Sequence, residues 1–354
     1  MDTHRAKPVV IVTGSSGLLG AAVLDRLKDR HQVVGFDRDG VPQPPAEIEC
    51  VCVDLTDARS VALGLERVAY AYGKRLAAVV HLAAYYDFSG EPSPLYEEVN
   101  VRGTSRLLHG LRNGGFGCEL FLYASSMLVH APSEPGRAID ESSPIQAKWD
   151  YPRSKVDAEH CIEEEHGPIR AVVLRIAGIY TDRCESIPLS QQIHRIERRS
   201  IEAFVYPGDT SHGQSYVHVD DVVSAIELAI THRCELPPGV TPVLVGEPET
   251  PSYAEIQNRL GQLLHGEQGW PTHVVPKPLA KVGAWLQDKL PVDQFVRPWM
   301  IELADDHYEL DVSRADQLLG WRPAHHVLDS LPDMVEDLRA DPEAWHRRHG
   351  LGPP

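Results

Sequence analysis

The chain has 354 residues, with 34 Lys and Arg against 51 Asp and Glu, and a formal net charge of −17. That length points to one large α/β domain with a smaller one attached, and the acidic balance opposes general binding to nucleic acid or to an anionic membrane. The six cysteines form no CxxC and no paired zinc spacing, and no run reaches the ~18 uninterrupted apolar residues of a membrane span. The opening MDTHRAKPVV lacks the apolar core of a secretory signal, so reduced thiols and a cytoplasmic protein are expected.

Pro8 to Thr13 (PVVIVT) reads as a buried strand that breaks at Thr13-Gly14-Ser15-Ser16-Gly17-Leu18-Leu19-Gly20 into the helical period of Leu18 to Leu27. Glycines at this spacing let the backbone turn tightly and approach a pyrophosphate, whose charge meets the amides of the following helix. A second strand, Gln32 to Phe36, delivers Asp37 about 20 residues on, where a carboxylate accepts hydrogen bonds from ribose hydroxyls and repels a 2′-phosphate. This favours NAD over NADP, with the adjacent Arg38 a partial offset. Two further strands, Glu49 to Val53 and Leu76 to His81, run into Asp54-Leu55 and Leu82-Ala83-Ala84. Polar or small residues at each strand end fit a parallel sheet with a ligand across its carboxyl edge.

Leu95 to Leu111 has a helical pattern and contains Asn100, and the strand Leu120 to Ala124 delivers Ser125 and Ser126. A loop rich in Pro, Ser and Glu then leads to Trp149-Asp150-Tyr151-Pro152-Arg153-Ser154-Lys155. Pro152 suits the first turn of a helix, which puts Tyr151 and Lys155 four residues apart on one face. An ammonium beside a phenol favours the phenolate, so the pair is a candidate acid/base centre; a bare YxxxK equally fits a surface pair. After the strand Ala171 to Ile176 the chain leaves the sheet, with a helix over Pro188 to Arg198 and a short strand over Ala203 to Tyr206. Tyr216 to Asp221 (YVHVDD) leads it back, through a helix to Ile230 and a strand over Thr241 to Gly246. His130, His194, His212 and His218 form no HExxH-like pair on one helix face, so no metal site is expected.

Together TGSSGLLG, Asp37, Asp54-Leu55, His81-Leu82-Ala83-Ala84, Asn100 within NVRGT, Ser125-Ser126, Tyr151 with Lys155, Leu174-Arg175, YVHVDD and LGWRP (Leu319 to Pro323) resemble the extended short-chain dehydrogenase/reductase family, the NAD-dependent epimerase/dehydratase group. The resemblance covers nearly the whole chain. It implies an α/β fold, a Rossmann-like doubly wound parallel sheet with a smaller C-terminal substrate-binding domain. Residues 1–176 and 215–247 would bind NAD, 177–214 and 248–340 would bind substrate, and 341–354 would be a polar tail. The NAD contacts it implies are Gly14, Ser16, Gly17, Leu18, Leu19, Gly20, Asp37, Arg38, Asp54, Leu55, Leu82, Ala83, Ala84, Asn100, Tyr151 and Lys155. Tyr151 would be the general acid/base, Lys155 would lower its pKa and hold the nicotinamide ribose, and Ser126 would orient the substrate oxygen. Ser126 is preferred to Ser125 because it lies three residues before Val129, the family's spacing to a VYG-like segment that here reads Val129-His130-Ala131. A homodimer packed through the helices at 95–111 and 151–165 is also implied.

Departures narrow the chemistry. Met127 and Leu128 replace the Asp-Glu pair with which sugar-nucleotide dehydratases of the family eliminate water. Gln214 stands where nucleotide-sugar epimerases usually carry a diphosphate-binding arginine, leaving Arg183, Arg195, Arg198, Arg199 or Arg297 to compensate. Tyr85 and Tyr86, in Tyr85-Tyr86-Asp87-Phe88-Ser89, are expected to border nicotinamide and substrate or to pack in the core. The expectation is an NAD-dependent oxidoreductase or epimerase acting by hydride transfer at a secondary alcohol or ketone. Its small-molecule substrate would be a sugar or nucleotide-sugar first, a steroid-like or other hydroxy or keto compound second. A non-catalytic NAD sensor or scaffold would have no use for the acid/base pair.

Overall fold

The computed structural model describes residues 7–38, 48–87, 90–278 and 301–352. Its strands are β1 (Val9–Thr13), β2 (Gln32–Asp37), β3 (Glu49–Cys52), β4 (Arg75–His81), the two-residue β5 (Gly117–Cys118), β6 (Leu120–Ser126) and β7 (Arg170–Ile176). After β8 (Gly178–Tyr180), β9 (Val205–Tyr206) and β10 (Tyr216–His218), the chain rejoins the sheet as β11 (Val240–Val245). The sheet order is β11-β7-β6-β4-β1-β2-β3, with β5 on β4, and every pairing is parallel. β1 has β2 on one side and β4 on the other, so crossovers run away from it in both directions. That reversal opens a crevice beyond the carboxyl ends of β1 and β4.

The aliphatic runs of these strands are buried on both faces, as β1 shows along its full length, and such strands need helices above and below. On one face lie α1 (Leu18–Leu27) and, from later in the chain, Val219–Thr231, whose Leu24 and Ile226 pack with Val10, Val12 and Leu244. On the other lie α2 (Ala58–Tyr72), α3 (Arg102–Asn113) and α4 (Asp150–Glu165), where Leu65, Leu107 and Ile162 meet Ile11 and Phe121. A third cluster joins α5 (Ile187–Glu197) to Tyr253–His265, Val327–Ala340 and Trp345 through Leu189, Ile193, Leu260 and Leu331. No helix among the described residues is long and apolar enough to cross a membrane.

Two sequence expectations change here. The helix expected over Leu95 to Leu111 starts as a wide π-helical turn, Tyr96–Val101, before α3 takes over. Such turns are rare and recur at functional sites, and this one carries the buried Asn100. The expected polar tail instead forms a helix, Pro342–Arg348, capped by the Asp341 carboxylate on the Ala344 amide. Within that charged stretch Trp345 supplies the apolar body that docks it, and both Trp345 and His346 are buried.

The last family-like motifs meet in space. Asp221 accepts hydrogen bonds from the amides of Ala324 and His325, and the Trp321 indole donates to the Asp221 carbonyl at 2.9 Å. YVHVDD and LGWRP thus form one joint between the sheet domain and the C-terminal helices. His218 belongs to this joint, its Nδ1 accepting the Asp220 amide and its ring stacked 4.1 Å from that of His325.

Candidate active site

The loop after β1 is shaped for close approach. Gly14 has φ +69°, and a Cβ there would lie 2.8 Å from the Ala83 amide nitrogen; a Cβ on Gly20 would lie 2.1 Å from the Gly14 carbonyl oxygen. Only hydrogens fit at these two points, so α1 begins hard against the strand ends. Its N-terminal residue, Gly17, offers no side-chain cap, and no acidic residue occupies the first turn. The Ser16 hydroxyl is buried with no hydrogen-bond partner. Unfilled amides and a buried hydroxyl at a helix N-terminus suit a pyrophosphate. Asp37, at the end of β2, accepts the Ser16 and Arg38 amides at 2.8 Å each. Carboxylate lone pairs beyond these two bonds can take ribose hydroxyls.

A buried network fixes the neighbouring strand ends. His81 bonds through Nδ1 to the Thr13 hydroxyl at 2.7 Å and through Nε2 to the Thr104 hydroxyl at 3.0 Å. Thr104 donates to the Asn100 carbonyl, so Nε2 carries the imidazole proton and Nδ1 accepts from Thr13. Burial, reinforced by Lys155, pushes the His81 pKa down to about 3, which keeps the ring neutral. Asn100 accepts the Tyr85 amide, donates to the Tyr85 carbonyl and donates to Ser154, whose hydroxyl bonds the Tyr151 carbonyl. Asn100 therefore braces both walls from behind. Asp54 is occupied by the Thr56 amide and hydroxyl, which hold its carboxyl below the usual range, and Leu55 packs under Gly103.

Tyr151, Lys155 and Ser126 face one chamber. α4 begins at Asp150 with Pro152 in its first turn, the phase that aligns residues 151 and 155. Lys155 is 3% exposed; its ammonium donates to the Ala124 carbonyl at 2.7 Å and stands 4.8 Å and 5.7 Å from the ring centres of Tyr123 and Tyr151. Burial pushes its pKa down to about 7, partly countered by Glu159. The expected lowering of the Tyr151 pKa by Lys155 is not found. Burial, with Tyr96 adding to it, pushes the phenol up to about 12, because a dry wall penalises phenolate and ammonium alike. Ser125 and Ser126 separate clearly. Ser125 donates to Glu159 at 2.5 Å within a buried Glu159–Arg175 ion pair, whereas Ser126 accepts only the Leu128 amide at 3.2 Å and keeps its proton for a ligand.

The chamber encloses about 1120 Å³ and continues from the glycine loop into the C-terminal half. Gly14, Gly17, Leu18, Leu19, Gly20, Leu82 and Ala84 line the first part. Beyond Tyr151 the wall is largely apolar, with Met127, Leu128, Ile179, Ile187, Val205 and Ile301, and the charged residues Glu185, Arg195, Glu202 and Asp306 stand among them. Tyr86 lines the chamber with its ring 4.6 Å from that of Tyr151, while Tyr85 turns away against Tyr96 at 4.9 Å. Gln214 lines it and donates to the Tyr216 hydroxyl. Arg183 is exposed and outside the lining, and Phe88, Ser89 and Arg297 lie outside the described residues. Of the candidate arginines, the one that lines the chamber is Arg195. No signal in the sequence distinguishes it from Arg198 or Arg199; only the phase of α5 does.

The family model described as NAD dependent epimerase/dehydratase family matches residues 10–242. The 3 beta-hydroxysteroid dehydrogenase/Delta 5→4-isomerase of Mycobacterium tuberculosis is 27% identical over 240 residues, covering 66% of this chain and 62% of that protein. The UDP-glucose 4-epimerase of Streptomyces lividans is 26% identical over 247 residues, 63% of this chain and 71% of that one. The chain thus spans less than two thirds of the length of the steroid dehydrogenases it matches. In three dimensions it resembles the Thermus thermophilus UDP-glucose 4-epimerase solved with NAD, at a TM-score of 0.69, 22% identity and coverage of 94% and 99% of the two chains, a likeness of fold. On the family match, the chain belongs to the NAD-dependent epimerase/dehydratase family of enzymes.

Proposed function

We propose that this enzyme uses NAD to oxidise a secondary alcohol, or reduce the corresponding ketone, on a substrate with a large apolar body. The observation that carries this reading is the apolar wall beyond Tyr151, with Gln214 in place of a phosphate-binding cation. Burying such a body contributes about 25 cal/mol per Å², a gain that a nucleoside diphosphate would not draw from the same wall. NAD fits the loop at Gly14 to Gly20 and the carboxylate of Asp37; when bound, it accepts or returns hydride. Ser126 and Tyr151 hold the substrate oxygen, and Tyr151 exchanges its proton as the carbinol hydrogen leaves with its electron pair. A phenol held up to about 12 keeps its proton near neutral pH, the form that ketone reduction needs. In the oxidation direction Lys155, whose pKa burial pushes down to about 7, would help draw the proton away from Tyr151, and the same ammonium would hold the nicotinamide ribose when NAD is bound.

A second reading has its own observation. The Arg195 side chain lines the chamber, and its guanidinium makes no hydrogen bond or ion pair among the described residues; a guanidinium there suits an anionic substrate, a nucleotide-sugar included. The test is a panel of hydroxysteroids, other apolar hydroxy and keto compounds, and UDP-sugars, followed by reduced-nicotinamide absorbance and product analysis. Turnover of the apolar group with UDP-sugars silent supports the first reading. Turnover of UDP-sugars alone replaces it with the second, and tight NAD binding with no turnover across the panel points to a sensor. We further propose a homodimer through α3 and α4 in the cytoplasm; a sedimentation mass equal to one chain would remove the dimer.

A further inference from the structure

We infer that His194, Glu197 and His346 form a binding site for a zinc-like divalent cation that fastens the C-terminal helix to α5. The first two stand one turn apart near the C-terminal end of α5, and the third comes from the helix Pro342–Arg348. His194 Nδ1 lies 3.1 Å from His346 Nε2, and that Nε2 lies 3.2 Å from Glu197 Oε2. The three ligand atoms are all within 4.8 Å of one another. A tetrahedral zinc with bonds of 2.0–2.2 Å to nitrogen and oxygen sets its ligands about 3.3 Å apart, so two edges of the tetrahedron already stand close to that length.

Proton bookkeeping shows what is missing. His346 Nδ1 lies 2.6 Å from the Pro342 carbonyl oxygen. A carbonyl only accepts, so Nδ1 carries the hydrogen and Nε2 of the neutral ring presents a lone pair. That lone pair faces the Glu197 carboxylate, and Glu197 Oε2 is buried with no hydrogen-bond partner. A neutral His194 could donate its Nδ1 hydrogen to that lone pair, but the buried Glu197 Oε2 would still lack any donor; a cation between the three atoms satisfies all of them at once. An imidazole whose second nitrogen is pinned by a backbone carbonyl is also the usual arrangement of a metal-ligating histidine. Both helices turn their C-terminal ends toward the cluster, where the backbone dipole favours a cation. Arg195 and Arg198 on α5 oppose it, and the Glu197 charge offsets them. The ligands lie apart from the chamber lining, although Arg195 shares a turn with His194, so the ion would stiffen the helix that shapes the substrate wall without touching the chemistry. A water completes the fourth position.

The test uses the full chain freed of any histidine tag, stripped with chelator and dialysed against zinc. The expected result is one tightly retained zinc per chain, a higher melting temperature with zinc, and tetrahedral d–d absorption when cobalt replaces it. Glu197→Gln, which keeps the shape, and His346→Ala each weaken binding by more than about tenfold, while His325→Ala, in the separate His218–Asp220–His325 group, leaves it unchanged. The competing state is metal-free, with His194 donating its Nδ1 hydrogen to His346 Nε2 or with a protonated His346 paired with Glu197. It predicts no stoichiometric zinc and no chelator effect on melting, and either that result or binding indifferent to Glu197→Gln and His346→Ala would overturn the site.

Discussion

The two halves of the chamber are built in opposite ways. On the cofactor side the groups stand at strand ends of one sheet or on the helices packed directly behind them, within short local motifs and behind a closed hydrogen-bond network through Thr13, His81, Thr104 and Asn100. On the substrate side the wall is gathered from residues as distant as Leu128, Ile187, Val205 and Ile301, with polar groups such as Gln192, Arg195, Gln214 and Asp306 interspersed. The first half is set by backbone geometry that admits few residue types. The second is set by volume and apolarity, which many sequences satisfy, so specificity can drift there while the chemistry stays fixed.

Each prediction breaks or sharpens that contrast. The largest effect belongs to Tyr151→Phe, expected to lower kcat by about 10²–10⁴-fold, the range for a positioned acid/base group, with NAD affinity measured by calorimetry unchanged. Next is Gly20→Ala, whose new methyl would sit 2.1 Å from the Gly14 carbonyl. It should cost about 1–3 kcal/mol in chemical unfolding and weaken NAD binding by about tenfold or more. Substitutions on the other side should spare NAD altogether. Gln214→Arg should tighten binding of UDP by about tenfold through a charge-assisted bond, and Arg195→Ala should raise KM for an anionic substrate without moving that for a neutral one.

The last prediction is a pH dependence. The folded pKa of Lys155 is about 7 against a usual 10.5, so between those values the unfolded chain binds the extra proton and stability rises with pH. Below about 7 the cost of burying the charge is present in full, and above about 10 it is gone. Denaturation of wild type and Lys155→Met across this window should therefore converge as pH rises; parallel curves would contradict the assigned burial of the ammonium.

What the sequence made legible follows the same division. The glycine loop, Asp37, and the shared face of Tyr151 and Lys155 could be read directly, because each depends on spacing within one strand, turn or helix. Ser126 could be separated from Ser125 only by resemblance, and the physical reason, the grip of Glu159 on Ser125, crosses 34 residues. The π-helical turn at Tyr96–Val101 was hidden because its apolar pattern matches an ordinary helix. The choice of Arg195 over Arg183 depends on helix phase after the chain has left the sheet. The His194, Glu197 and His346 group joins positions 152 residues apart, beyond any local spacing rule, and the helix carrying His346 rests on a single tryptophan in a stretch that composition marks as polar.

The central claim, hydride transfer at a carbinol carbon beside Tyr151, is tested most directly with a turned-over alcohol deuterated at that carbon, mixed in a single turnover with the NAD-loaded enzyme. The account predicts deuterium on the reduced nicotinamide in wild type and almost none in Tyr151→Phe over the same time. Deuterium released to water instead, or equal transfer by both proteins, would contradict it.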